Sequence, residues 1–253
     1  MRLPRSILIT GASSGIGAAL AKEYAASDVY LALSGRDTER LSEVAAACRS
    51  AGAPVRSLAL DVTNRVAMEA WIARVDGEQS LDLVVANAGI SGGTAAGGEA
   101  AEQARAIFHT NVDGVLNTVH AAVYAMRPRG RGQIAIVSSL AAFRGYPGAP
   151  AYSASKAAVR VYGEALRGAL VSEGIGVSVV CPGYVRSGMT AANTFPMPML
   201  MDADRAAGII RRGLAKNRAR IAFPWPIYAV AGMFGVLPPW LIDPFMVRLP
   251  RKA

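Results

Sequence analysis

The sequence predicts an α/β chain built on a doubly wound parallel sheet of about seven strands, folded as a single domain over residues 1–253. Two observations predict it. Short β-rich apolar runs alternate with longer amphipathic stretches, and strands apolar on both faces need helices on both sides of the sheet. A glycine-rich turn also follows the first apolar run and opens the first amphipathic stretch. There such a sheet presents helix N–H groups to an anion.

Residues 6–10 form the first strand and 16–27 the first helix, entered through Gly and Ser. The pattern repeats with a strand at 29–34 and a helix at 38–51. A strand at 55–60, a helix at 65–75 and a fourth strand at 81–86 follow. A Gly/Ala-rich loop at 92–98 leads into a long helix reaching about Met126. Residues 134–138 are a fifth strand, 152–172 a long helix, 177–180 a sixth strand and 220–223 a short seventh. Each crossover is expected to be right-handed. Neither a linker nor an internal repeat interrupts the series.

Composition removes whole classes. The chain has 253 residues, 52% of them hydrophobic and 18% charged, too apolar for a disordered protein. Its 26 Gly and 14 Pro lack a Gly-X-Y period, which excludes a collagen-like chain. Cys48 and Cys181 lie in no metal or redox spacing and read as buried thiols in a reducing, cytoplasmic setting. His109 and His120 have no ligand partners at metal spacing, so no metal site is expected. The basic start is followed only by Ile7-Leu8-Ile9, whereas a signal peptide needs roughly 7–15 apolar residues. The net charge is +9, but its arginines are dispersed and no nucleic-acid reader motif accompanies them. No nucleic-acid partner is expected. The concentrations at 127–131 and 205–220 would suit solvent, an anionic cofactor or substrate, or a membrane surface.

The turn reads Thr10-Gly11-Ala12-Ser13-Ser14-Gly15-Ile16-Gly17. Gly11, Gly15 and Gly17 allow a tight turn and close approach of a pyrophosphate, and Ser13, Ser14 and Ile16 open the helix mouth. At the end of the second strand an NAD site usually holds an acid for the ribose 2′-hydroxyl. Here Arg36 stands in that place, with Asp37 next to it. A guanidinium suits a 2′-phosphate, so NADP(H) is the expected cofactor.

Tyr152 and Lys156 stand at i and i+4, one turn apart on one helix face. A nearby cation lowers a phenol towards neutrality, where it can exchange a proton with a carbonyl or hydroxyl oxygen. Ser139 ends the fifth strand 13 residues earlier, Asn111 lies in the preceding helix, and Asn87-Ala88-Gly89 closes the fourth strand.

With these motifs in this order, the sequence resembles the short-chain dehydrogenase/reductase family from Ile7 to about Thr190. The glycine motif, Asp61 with Val62, Asn87–Gly89, the set Asn111, Ser139, Tyr152 and Lys156, and Pro182-Gly183 carry the likeness. The resemblance implies a Rossmann-like fold, a homo-oligomer (dimer or tetramer), and hydride transfer between the nicotinamide and a small-molecule carbonyl or secondary alcohol. Tyr152 would be the acid–base group. Lys156 would lower the phenol pKa and hold ribose hydroxyls. Ser139 would bind the substrate oxygen, and Asn111 would steady a proton relay. Asp61 and Val62 would border the adenine, and Val185 and Ser187 the carboxamide. A nucleotide-sensing protein without turnover is the alternative. It has no need for all four residues of the set.

Residues 184–216 form the expected substrate loop, with Met197, Met199 and Met201 as an adaptable apolar lid or as loop packing. Residues 224–253 form an apolar C-terminal segment. The stretch 221–242 carries no charge over 22 positions but includes Pro224, Pro226, Pro238 and Pro239. The uninterrupted part, 227–237, is too short to span a bilayer. Each large side chain left in water forgoes about 1.5–3 kcal/mol of burial, so something must cover it. The expected cover is the protein's own cleft: a helix at 227–237 walls an apolar site for a lipophilic ketone or alcohol. A second subunit and a membrane surface are the alternatives, the last giving a peripheral enzyme acting on lipid ketones. The long C-terminus also departs from the short ending of 3-oxoacyl carrier-protein reductases.

Overall fold

The computed structural model describes residues 3–94, 98–191, 193 and 195–247. Positions 95–97 of the expected loop, Ala192 and Thr194 of the substrate loop, and the tail beyond Val247 lie outside them. The strands are β1 (Ser6–Thr10), β2 (Tyr30–Gly35), β3 (Val55–Ala59), β4 (Leu83–Ala86), β5 (Gly132–Val137), β6 (Ile175–Pro182) and β7 (Arg220–Phe223). They pair in the order β3-β2-β1-β4-β5-β6-β7, every pair parallel. The order reverses between β1 and β4, and the crevice beyond the carboxyl ends of strands at such a point is where ligands bind.

Strand alternation divides the core between the two faces. Ile7 and Ile9 of β1, with Leu31, Leu33, Leu83 and Val85, pack under α1 (Gly15–Tyr24), α2 (Thr38–Ser50) and α8 (Ala203–Ala215). Leu8, Val84, Ile134 and Ile136 face the other way, under α3 (Arg65–Glu78), α5 (Gly114–Met126) and α6 (Pro150–Leu170). There they meet Trp71, Val119, Met126 and Val159. Gly163 of α6 is a contact point: a Cβ there would stand 2.7 Å from Val179 Cγ2.

Several boundaries differ from the sequence reading. The first helix ends at Tyr24, because Ala25 takes an extended conformation and packs on the core outside the helix. β3 is an edge strand and exposes Arg56, Leu58 and Ala59. β6 is longer than expected because β5 and β7 pair along its two sides. The long helix after the Gly/Ala-rich loop is three pieces: α4 (Ala101–Phe108), a π turn over His109–Asp113, and α5. α7 (Gly188–Ala191) is a single short turn in the expected substrate loop.

The tail forms α9 (Trp225–Val236) and α10 (Pro239–Met246). Pro226 and Pro239 lie in the first turns, where a missing N–H costs nothing. So α9 starts two residues earlier than expected, ends at Val236, and is followed by a second helix the sequence reading did not contain. No described helix is long and apolar enough to cross a membrane.

Candidate active site

The glycine turn is built where β1 ends. Gly11 and Gly15 adopt φ of 65° and 55°, conformations that a side chain would strain. At Gly17 a Cβ would lie 2.3 Å from the Gly11 carbonyl oxygen, so helix and turn can approach this closely only through glycine. The turn is tied to both neighbouring strands. Ala12 N–H donates to the Ser34 carbonyl at 2.9 Å. Asn87 Nδ2 donates to the carbonyls of Thr10 at 2.9 Å and Gly11 at 3.2 Å. The N–H groups of Asn87 and Ala88 reach Thr10 Oγ1. What remains is a concave turn with the amino end of α1 open behind Ser13 and Ser14. That is the shape and polarity a pyrophosphate requires.

One cleft of about 1030 Å³ runs from this turn across the carboxyl ends of the strands. Gly11, Ser13, Ser14, Gly15, Ile16, Arg36, Asp61, Val62, Asn87, Ala88, Gly89, Pro182, Gly183, Val185 and Ser187 line it, as do Ser139, Tyr152 and Lys156. Of the expected cofactor and catalytic residues, Gly17 and Asn111 are absent from the lining and act behind it; Met197, Met199 and Met201 of the expected lid are absent from it as well.

At one end Arg36 reaches Asp61 at 4.0 Å. Burial opposes the Asp61 charge. The Thr63 N–H and hydroxyl, each 2.9 Å from Oδ1, more than offset it and hold the carboxyl below the usual range; Arg36 adds to the effect. Asp37 does not face Arg36 in the same way. It caps α2 by accepting from the Arg40 N–H at 3.0 Å and pairs with the Arg40 side chain. Arg40, which also lines this end, was not picked out from sequence.

At the centre, Tyr152 and Lys156 emerge from the first two turns of α6. Burial pushes the Tyr152 phenol up, a hydrogen bond from Ser139 draws it back, and Tyr184 adds to the rise. Burial pushes the Lys156 ammonium down to about 8. Its Nζ donates to the Val137 carbonyl at 3.0 Å and stands 5.9 Å from the centre of the Tyr152 ring. The sequence reading has Lys156 lowering the phenol; in the folded chain burial sets the phenol above its ordinary value, and Ser139, not Lys156, is the group that draws it back.

Asn111 is fully buried in the π turn. Its side chain accepts from Ile90 N–H at 2.8 Å and donates to Ile90 O at 2.9 Å and to Ser155 Oγ at 3.0 Å. Gly89 is the close neighbour: a Cβ there would meet Asn111 Oδ1 at 3.0 Å and Lys156 Nζ at 3.2 Å. Ser155 in turn donates to the Tyr152 carbonyl at 2.8 Å, and Ser138 Oγ donates to the Lys156 carbonyl at 2.7 Å. Neither serine was found from sequence, although both sit next to a named residue. A small polar residue beside a functional one is the signal available.

Ser187 stands against the glycine turn, 3.0 Å from where a Gly15 Cβ would be, and its N–H donates to Thr190 Oγ1 at 2.9 Å. Gly183 N–H donates to the Phe223 carbonyl at 2.7 Å, fixing the loop's departure from β6. Val185 bridges Met201, which is buried; the exposed Met199 takes a left-handed turn. Beyond Tyr152 the walls become apolar. Tyr184, Phe195, Ile227, Ala231, Phe234 and Met246 lie there with Arg144. Arg144 Nη2 pairs with Asp243 of α10 at 3.1 Å. Contrary to the expectation from sequence, His109 does have a carboxylate at i+4, Asp113 at 2.9 Å, but no group of three ligating side chains forms among the described residues; His120 meets the Tyr162 hydroxyl at 3.4 Å.

Comparison with known proteins places this geometry. The short chain dehydrogenase family profile matches residues 5–196. An uncharacterized oxidoreductase of Myxococcus xanthus is 41% identical over 246 residues, covering 97% of each chain. Ketoacyl reductase HetN of a Nostoc species is 33% identical over 199 residues, 78% of this chain and 69% of that one. A short chain dehydrogenase/reductase of Burkholderia phymatum, solved in complex with NAD, superposes with a TM-score of 0.84 at 24% identity, covering 98% and 97% of the two chains. The chain is an oxidoreductase that belongs to the short-chain dehydrogenase/reductase family.

Proposed function

We propose that the chain transfers a hydride between NADP(H) and a lipophilic ketone or secondary alcohol. The observation that carries this reading is the cleft itself. It joins a glycine turn, the Ser139–Tyr152–Lys156 centre, in which Ser139 and Lys156 are buried and Tyr152 is half-buried, and an apolar wall from α9 in one cavity. A relative named a ketoacyl reductase adds a ketone substrate to the family's range.

The residues present fit a nicotinamide dinucleotide: the Gly11–Gly17 turn packs this tightly on Ala88, Asn87 and Ser187 only without Cβ atoms, and Ser13, Ser14 and Ile16 at the mouth of α1 face the cleft. Ser13, Ser14 and Ile16 would hold that group, Asp61 and Val62 the adenosine, and Asn87–Gly89 with Lys156 the nicotinamide ribose. Pro182, Gly183, Val185 and Ser187 would border the carboxamide. Arg36, with Arg40 near it, would hold a 2′-phosphate: its ion pair with Asp61 is long and solvent-exposed, so little would be lost in exchanging it. When bound, the cofactor supplies the hydride.

The protein's own work is to orient and protonate. Ser139 positions the substrate oxygen beside the Tyr152 hydroxyl. Tyr152 gives that oxygen a proton in reduction and removes one in oxidation. The raised phenol pKa keeps the proton in place until it is needed. Lys156, with its ammonium near 8, replenishes that proton from solvent along a route that Asn111 holds in register. The Phe234 and Ile227 side excludes water and accepts an acyl or alkyl chain. A dimer or tetramer and a cytoplasmic setting accompany this reading; the free, buried Cys48 and Cys181 suit a reducing compartment. The test is loss of NADPH absorbance with 2-ketones of increasing chain length. Catalytic efficiency should rise with length. A complete lack of turnover across ketones and aldehydes, with NADPH bound, would remove the reading.

A further inference from the structure

α9 is apolar on every face. At about 100° per residue, Ile227, Ala231 and Phe234 share the side that lines the cleft. Trp225, Ala229, Met233 and Val236 share another side and are exposed. Val230 lies between the two sides, half exposed and also on the cleft lining. α10 is arranged in the same way: Ile242 and Met246 turn inward, whereas Trp240, Leu241 and Phe245 are exposed. The exposed apolar stripe is therefore continuous with the wall of the substrate cleft.

Charge separates the possible covers. Residues 205–253 carry nine Lys or Arg and one acid, Asp243; Arg211 and Arg220 pair with Glu23 and Glu164, and a cationic excess remains in this part of the sequence. Two copies meeting through the tail would bring like charges together. An anionic bilayer would attract them. Tryptophan prefers the membrane–water boundary, and the stripe and α10 expose one each, Trp225 at 74% and Trp240 at 76%. Helices of 12 and 8 residues are too short to span and suit a position in the plane of the interface.

We propose that the outer stripe of α9, with α10, docks on an anionic lipid surface and sets the mouth of the cleft against it, so that substrate enters from the lipid. This rests on the reading of the cleft as a site for lipophilic carbonyls.

The chain carries its own probe. Trp71 is 3% exposed, so quenching by brominated acyl chains reports on Trp225 and Trp240. The full-length protein is mixed with vesicles of brominated phosphatidylcholine containing a quarter phosphatidylglycerol. Emission should be quenched and the protein should co-sediment. Binding should weaken at least tenfold on pure phosphatidylcholine and at least tenfold in M233E/V236E. That variant changes only exposed positions outside the cleft lining, so NADPH binding and turnover of a short, water-soluble aldehyde should match the parent. Absence of quenching in the parent, equal binding to both vesicle types, or undiminished binding by the variant overturns the proposal. So does a parent dimer that the variant makes monomeric and no vesicle quenches, which assigns the stripe to a second copy. Vesicle binding without turnover of any carbonyl supports the surface and removes the catalytic reading instead.

Discussion

Arg144 and Asp243, 99 positions apart in sequence, meet at 3.1 Å and tie the loop after β5 to α10. The contact joins the segment that follows Ser139 to the helix that supplies Met246 to the cleft. It is half of a larger arrangement on this side. Arg160 and Arg220 stack over Phe143, at 4.8 and 5.3 Å from its ring centre, and Arg220 Nη1 donates to the Tyr228 hydroxyl at 3.1 Å. The apolar end of the cleft is thus held by cations acting between elements distant in sequence.

Breaking the Arg144–Asp243 pair should loosen the far wall without touching the cofactor end. Asp243→Ala is expected to raise KM for a long-chain ketone by up to about fivefold, the range of a partly exposed ion pair. The Kd for NADPH should stay within error. Steady-state kinetics at low and high salt check this, because added salt should reproduce part of the effect in the parent alone.

Cofactor choice should depend on Arg36. NADPH is expected to bind at least tenfold more tightly than NADH, a difference of about 1.4 kcal/mol. Arg36→Asp should invert the order. Titration of nicotinamide fluorescence with both cofactors measures it, and equal affinities in the parent would end the argument for a 2′-phosphate site.

Tyr152→Phe removes the phenolic proton and little else. Turnover should fall by roughly 10²-fold or more, as for loss of a positioned acid. NADPH affinity should hold, since the ring keeps its packing. Near-normal turnover would mean that another group supplies the proton.

The pH dependence follows from Lys156. Its folded-state pKa of about 8 is lower than the ordinary 10.5. As pH rises through about 8 the ammonium loses its proton, so reductive kcat/KM should fall with an apparent pKa near that value. For stability the sign is the reverse of a favourable ion pair. Between about 8 and 10.5 the unfolded chain binds more protons, so this group adds stability as pH rises and penalises the fold below about 8. Lys156→Met should therefore lose turnover yet melt no lower than the parent at pH 7. A large drop in Tm would contradict the penalty.

The sheet was legible because buried parallel strands leave continuous apolar runs, and Leu31–Leu33 or Ile134–Val137 fall between helical stretches where a strand is needed to complete the series. The glycine turn and the Tyr152/Lys156 spacing were legible because their constraints are local. Other features depend on contacts between segments far apart in sequence. Ser155 serves Asn111 from 44 positions away, and Arg144 gains its role only when α10 arrives. The rise of the Tyr152 phenol reflects how deeply the fold buries it, which residue spacing does not encode. The prolines of the tail misled for a physical reason: Pro226 and Pro239 start helices here, whereas a spacing argument treats them as breaks.

The π turn at His109–Asp113 makes chain length, more than composition, the sensitive variable between Ala101 and Gly114. A π turn accommodates one residue more than an α turn. Losing any one residue there would let α4 and α5 run on as an uninterrupted α-helix with much the same apolar pattern. The flanking helices would keep their facing, because the π turn is what absorbs the extra residue, whereas the residues inside the turn would be re-aimed. Asn111 would swing away from Ile90 and Ser155 while the hydrophobic count stayed the same. Variants shortened by one residue in this segment should fold and yet be inert, whereas surface replacements along α4 should be tolerated.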